Sequence, residues 1–239
     1  MQPSTPPNTR PGGTADFLQG TSLLTRFKNF YRMATGSMSP QGQLAYWHDV
    51  DLRYEALDCR RCESQRDYLL QYSPIIRYLS TNIAQLGGTL DSTNIRCRRC
   101  EPHERMEGGF DPRYGIKLCA NVLEGRKKVE DTLAHEMVHA WDHLKWKVNW
   151  EADGGDLRGV ACTEIRASSL SGECRWTNEF FGNKILKFTN QHQNCVRRRA
   201  VQSVKSRPQC KSDLDAVKAV NEVWDSCFRD TRPFDEIYR

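Results

Sequence analysis

Two histidines one helical turn apart carry the strongest chemical signal in this chain. They are His135 and His139, in the string His135-Glu136-Met137-Val138-His139. Residues four apart lie about 6 Å apart along a helix axis and on nearly one face, which lets two imidazoles share one small cation. Glu136 is one step on. It flanks the pair, where a carboxylate takes a proton from water without being a ligand. The pattern points to metal-assisted hydrolysis, with His135 and His139 as ligands and Glu136 as general base. The competing reading is a surface helix with two solvated histidines.

A catalytic zinc needs a third protein ligand. His143 is two turns from His135, about 12 Å along the axis, too far to share the ion in a straight helix. It and Asp142 are read as supporting or surface residues. Glu164, on the next expected helix, is the candidate, with Asp153 and Asp156 in the intervening link as reserves. Arg166 is the candidate for stabilising an oxyanion.

These residues need elements to hold them. Val129–Trp146 reads as one amphipathic helix, because Val129, Leu133, Met137, Val138, Trp141 and Leu144 repeat at three and four residues. Asp131 puts an acid near its start, as the helix dipole prefers. Upstream, Arg66–Leu86 reads as a helix that Pro74 divides and Gly87-Gly88 ends. Cys59-Arg-Arg-Cys62 is expected to open the folded part. Asn94–Cys97 is a short strand, Gly108-Gly109-Phe110-Asp111-Pro112 a turn, and Tyr114–Leu123 an alternating strand. Downstream, Val160–Leu170 is a second helix that stops at Ser171-Gly172. The remainder is mostly helical and includes an amphipathic Leu214–Phe228.

The expected fold class is therefore α+β, mainly helical with a small sheet. This order of elements resembles the zincin metallopeptidases. In that fold the strand before the active helix is a sheet edge, and a peptide substrate pairs with it through backbone hydrogen bonds. Tyr114–Leu123 is the expected edge.

The chain has 239 residues, 38% of them hydrophobic, with six Trp and nine Phe, enough for a substantial core. A net charge of +5 permits attraction to anionic lipid or acidic proteins and does not demand nucleic acid. No apolar run approaches the roughly 20 residues of a membrane-spanning helix. Residues 1–44 read as a largely disordered extension and 45–239 as the folded domain. Within the extension, Asp16 is the single acid, against Arg10, Arg26, Lys28 and Arg32. Phe17, Leu18, Leu23, Leu24, Phe27, Phe30 and Tyr31 can form one helix side there: a transit peptide, a lipid-surface helix, or a short helix docked on the body.

Ten cysteines are spread along the chain: 59, 62, 97, 100, 119, 162, 174, 195, 210 and 227. An even, dispersed set suggests an oxidising compartment and up to five disulfides. The start lacks the pattern of a secretory signal peptide. The mitochondrial intermembrane space satisfies both observations. The rival reading is a structural zinc held by Cys59, Cys62, Cys97 and Cys100, whose paired C-x-x-C spacing and nearby arginines would suit a nucleic-acid binder.

Longer strings carry a family resemblance. The stretches HEMVHAWDHLKW (135–146) and ACTEIRASSLSGEC (161–174) resemble the ATP-synthase-assembly metalloproteases of the mitochondrial inner membrane. So do Gly108–Pro112, the Cys195-Val-Arg-Arg-Arg stretch and the Cys227–Phe234 stretch. The likeness covers about residues 45–239. It implies a peripheral protein on the intermembrane-space face of the inner membrane, with one catalytic zinc on His135 and His139 and Glu136 as base. A carboxylate on the following helix, here Glu164, completes the site in the Glu-type zincins. The resemblance implies removal of the N-terminal segment of ATP synthase subunit 6 and help in joining that subunit to the subunit 9 ring; no nucleic-acid partner is expected, because basic clusters are more often solvated faces or lipid contacts. An assembly chaperone acting independently of proteolysis is the alternative. It also favours disulfides among Cys59, Cys62, Cys97, Cys100, Cys119, Cys162, Cys174, Cys195, Cys210 and Cys227. Thr163 stands where the family pattern suggests Ser, and the link at 151–159 is more acidic and Gly-rich than expected.

Overall fold

The computed structural model describes residues 16–101, 104, 106–150, 157–175 and 191–235. Its elements run α1 (Leu23–Ala34), α2 (Pro40–Tyr72), α3 (Pro74–Gln85), β1 (Ile95–Arg98), β2 (Gly108–Asp111), β3 (Gly115–Cys119), α4 (Arg126–Trp146), α5 (Leu157–Leu170), α6 (Gln191–Lys205) and α7 (Asp213–Arg229). The expected α+β class holds: mostly helix, one small sheet, stapled by disulfides. The chain divides into two units, residues 1–60 and 61–239.

In the first unit, Phe17, Met38 and Ala45 form a small core. α1 starts at Ser22, whose side chain accepts from the Thr25 amide. Of the extension expected to be largely disordered, 1–44, residues 1–15 lie outside the described residues, whereas Leu23–Ala34 is helical. The expected domain start at residue 45 lies within α2, and so does Cys59-Arg-Arg-Cys62. That string therefore lies inside a helix and does not open the folded part. Nothing in Pro40–Tyr72 interrupts backbone hydrogen bonding until Ser73-Pro74. There Ser73 caps α3 by accepting from the Ile76 amide, and Pro74 occupies the first turn, where its missing N–H costs nothing.

In the second unit the sheet order is β1-β3-β2. β1 pairs parallel with β3, and β2 pairs antiparallel with it, Gly108 opposite Leu118 and Asp111 opposite Gly115. The expected edge strand is thus the central one, and most of the expected turn Gly108–Pro112 is an edge strand, β2. The actual turn is Asp111–Gly115. The Asp111 side chain accepts from the Arg113 amide at 2.8 Å, and Gly115 takes φ 85°. β3 ends at Cys119, earlier than its alternation suggests, because the Val122 and Leu123 amides turn back to the Cys119 carbonyl.

α4 packs between α3, the sheet and α5. From Asp131 to Asp142 every residue but His135 is buried. Enclosure on nearly all sides, where one buried face was expected, obliges every polar group in that stretch to have a partner. α5 is similarly enclosed, and Val160, Ala161 and Ile165 share a core with Val196, Ala200, Val220 and Trp224 of α6 and α7.

Four disulfides staple the unit. Cys62–Cys97 joins α2 to β1, and Cys100–Cys119 joins the segment after β1 to β3. Cys162–Cys227 joins α5 to α7, and Cys174–Cys195 ties the segment after α5 to α6. Cys59 and Cys210 stand outside these bonds, so the count is four where up to five were expected. The four-cysteine zinc site does not form, because Cys62, Cys97 and Cys100 are committed to disulfides. No helix among the described residues is long and apolar enough to cross a membrane.

Candidate metal centre

α4 and α5 lie side by side, and three ligand atoms converge where they meet. His135 Nε2 and His139 Nε2 are 3.0 Å apart, and Glu164 Oε2 is 3.5 Å from each. Tetrahedral zinc with bonds of about 2.0–2.1 Å sets its ligand atoms about 3.3 Å apart, so the donor set fits such an ion. His139 and Glu164 are buried and His135 half-buried.

Each imidazole is oriented from behind. Thr163 Oγ1 donates to Asp142 Oδ2 at 2.7 Å. Its one proton is thereby used, so the same oxygen accepts from His139 Nδ1 at 2.9 Å. A proton on Nδ1 leaves the Nε2 lone pair facing the cation position. His135 Nδ1 stands 3.1 Å from Glu173 Oε1. A carboxylate only accepts, so this tautomer is fixed the same way, and Arg199 holds the other Glu173 oxygen at 2.5 Å. Arg207 binds Glu164 Oε1 at 3.3 Å and leaves Oε2 to the histidines.

The electrostatics agree with a bound cation. Burial alone would lower the His135 imidazole, yet Glu173 and Glu164 hold it well above its usual range. Burial would likewise raise Glu164, and the two imidazoles hold it well below. The field therefore favours positive charge at this point. Burial pushes the Glu136 carboxyl up, the direction that suits a general base. Glu136 sits under the edge strand: a Cβ on Gly108 would meet Thr132 Cγ2 at 2.8 Å, Lys117 O at 3.1 Å and Glu136 Cγ at 3.3 Å.

The structure brings His135, Glu136, His139 and Glu164 together. Asp153 and Asp156 lie outside the described residues. His143 pairs with the Val148 carbonyl at 3.1 Å. Asp142 is a supporting residue, fully buried. Arg166 is not an oxyanion donor. Its side chain is wholly buried, with Nε and Nη2 on Asp142 and Nη1 on Asp230 at 2.8 Å. Glu173, Arg199 and Arg207 were not anticipated. Only the string 161–174 hints at Glu173, and no spacing rule reaches across to α6.

Known proteins support a peptidase. The Peptidase M76 family profile matches residues 60–235. The mitochondrial inner membrane protease atp23 of Aspergillus fumigatus is 58% identical over 238 residues, covering 100% of this chain and 98% of the relative. Its namesake in Neosartorya fischeri is 60% identical over 230 residues, with 95% of each chain covered. That of Coccidioides immitis is 54% identical over 232 residues, covering 97% of this chain and 96% of the relative. No solved structure matches. With more than half of its residues shared along nearly its whole length, this chain belongs to the Peptidase M76 family and is a protease of the mitochondrial inner membrane.

Proposed function

We propose that this chain is a zinc metalloendopeptidase, peripheral on the intermembrane-space side, that trims the N-terminal segment of ATP synthase subunit 6 and helps that subunit join the subunit 9 ring. The observation that carries the peptidase reading is the convergence of His135, His139 and Glu164 ligand atoms within 4.8 Å, beside Glu136. Two imidazoles and a carboxylate are the donors a catalytic zinc takes in one class of peptidase. Four disulfides support an oxidising compartment. The substrate reading rests on the strings shared with the assembly proteases.

When bound, zinc polarises the scissile carbonyl and lowers the pKa of water at the site towards ~7. The chain's own residues do the rest. Glu173 and Thr163 present the two Nε2 lone pairs. Glu136 takes a proton from water and returns it to the leaving amine. β2, at the sheet's end, offers backbone groups to a peptide that adds as a further strand across Glu136.

Metal content and cleavage of a subunit 6 N-terminal peptide, compared between wild type and Glu136→Gln, test the reading. Both proteins should hold one zinc, and only wild type should cleave. A Glu136→Gln protein that cleaves at the wild-type rate would remove the assigned base. Restoration of ATP synthase assembly by that variant would separate the assembly role from hydrolysis.

A further inference from the structure

α1 is built inside out. Its polar side chains face the protein: buried Asn29 exchanges hydrogen bonds with both backbone groups of Leu18, at 2.9 and 3.0 Å, and Arg32 donates to the Asp16 carbonyl at 2.8 Å. Its large apolar side chains face out. Leu23, Leu24, Phe27, Phe30 and Tyr31 are 58% to 83% exposed. At 3.6 residues per turn these five fall in an arc of about 120°. Arg26 and Lys28 stand about 40° beyond its two edges. The helix contains no acidic residue. Folding alone gives no reason to leave two phenylalanines and two leucines in water when two polar residues take the inner face.

We infer that this arc is the surface by which the chain lies on an anionic phospholipid membrane, with Arg26 and Lys28 at headgroup level. Three observations select a lipid surface as the occupant. The apolar arc bordered by basic residues matches an interfacial helix, in which the bases reach the phosphates while the apolar face sinks into the acyl boundary. The absence of acid from α1 suits a negatively charged plane. The family is one of inner membrane proteases. The inference rests on the proposed location only in taking a membrane to be present.

Flotation of the full chain with vesicles tests it, using phosphatidylcholine alone and an equimolar mixture with phosphatidylglycerol. The chain should partition onto the mixed vesicles, more weakly as salt rises. Phe27→Ser with Phe30→Ser should lower that partitioning at least about tenfold. Arg26→Glu with Lys28→Glu should abolish the preference for the anionic mixture. Neither pair belongs to the metal centre, so both variants should cleave a soluble peptide as wild type does. Partitioning unchanged by the serine pair would overturn the inference. So would vesicle indifference together with a dimer that the serine pair dissociates, which would make a second copy the occupant. A chain that cleaves but does not float sinks this inference alone. A chain that floats but does not cleave sinks the peptidase reading and leaves this one standing.

Discussion

Thr163 reads the state of Asp142 to His139. Its hydroxyl lies 2.7 Å from one and 2.9 Å from the other, and having one proton it can donate only once. Thr163→Ser keeps that relay, and the variant should hold metal as wild type does. Thr163→Val keeps the shape and removes the oxygen. Metal affinity should then fall about 10–100-fold, measured by competition with a chelator, while the far-ultraviolet spectrum stays unchanged.

Glu173 performs the matching task for His135. Burial alone would raise its carboxyl, but the His135 and Arg199 charges hold it at about 2. Glu173→Gln retains an acceptor and loses the charge, whereas Glu173→Leu loses both. The chelator titration should rank the leucine variant well below the glutamine variant. Equal affinities would show that His135 does not depend on this partner.

Gly108 governs the approach of the edge strand to α4. Gly108→Val would drive a side chain into Thr132 and the Lys117 carbonyl. Thr132 is β-branched and the carbonyl is backbone, so neither yields cheaply. β2 should shift away from Glu136 and kcat/KM for a peptide should drop on the order of 100-fold. Zinc content should stay at the wild-type level.

Arg166 is a buried hub between Asp142 and Asp230. Arg166→Met strands a buried carboxylate and should cost about 3–5 kcal/mol of stability, read from denaturant midpoints. Asp230 gives the pH dependence. Burial alone would raise it, but the Arg232 hydrogen bond and the Arg166 charge hold it below its ordinary 3.8. A depressed carboxyl stabilises the fold above about 3.8, and that contribution is lost as pH falls through the folded value. Asp230→Asn should therefore be less stable than wild type near neutrality, with the gap narrowing in acid.

Cys162–Cys227 closes the longest covalent loop, with a sequence separation of 65. The loop-entropy relation assigns it about 4 kcal/mol. Replacing both cysteines by serine should lower the thermal midpoint accordingly, in a calorimetric scan without reductant.

The parts legible from the chain are those that depend on local spacing. The four-residue spacing sets both histidines on one helix face, and the need for a third donor on the next helix named Glu164, whose carboxylate lies 3.5 Å from each imidazole. Position in space was less legible. Alternation identified Gly115–Cys119 as a strand, but it carries no information about neighbours, and that strand proved central. Gly108-Gly109 read as a turn because glycine breaks structure; in fact both lie in a strand, and it needs glycine at 108, where a side chain would collide with α4. Arg166 looked available because an arginine near a metal site resembles an anion binder. Only the packing of α5 against α4, and the arrival of Asp230 from the chain's other end, reveal that its donors are already used. Glu173 and Arg199 meet through a fold-back that no periodicity announces.

The disulfides divide the second unit into two sets of elements. Cys62–Cys97 and Cys100–Cys119 fasten α2 and the sheet, on which α4 packs, while Cys162–Cys227 and Cys174–Cys195 fasten α5, α6 and α7. None of these four bonds crosses from one set to the other. His135 and His139 belong to the first set and Glu164 to the second. An ion gripped by all three would be a clasp across that seam, and withdrawing it would leave two covalently braced halves held together by packing, the Asp142–Arg166 ion pair and the Thr163 and Glu173 hydrogen bonds. Stripping the metal should therefore quicken amide exchange along the facing turns of α4 and α5 well before it is felt near any cross-link.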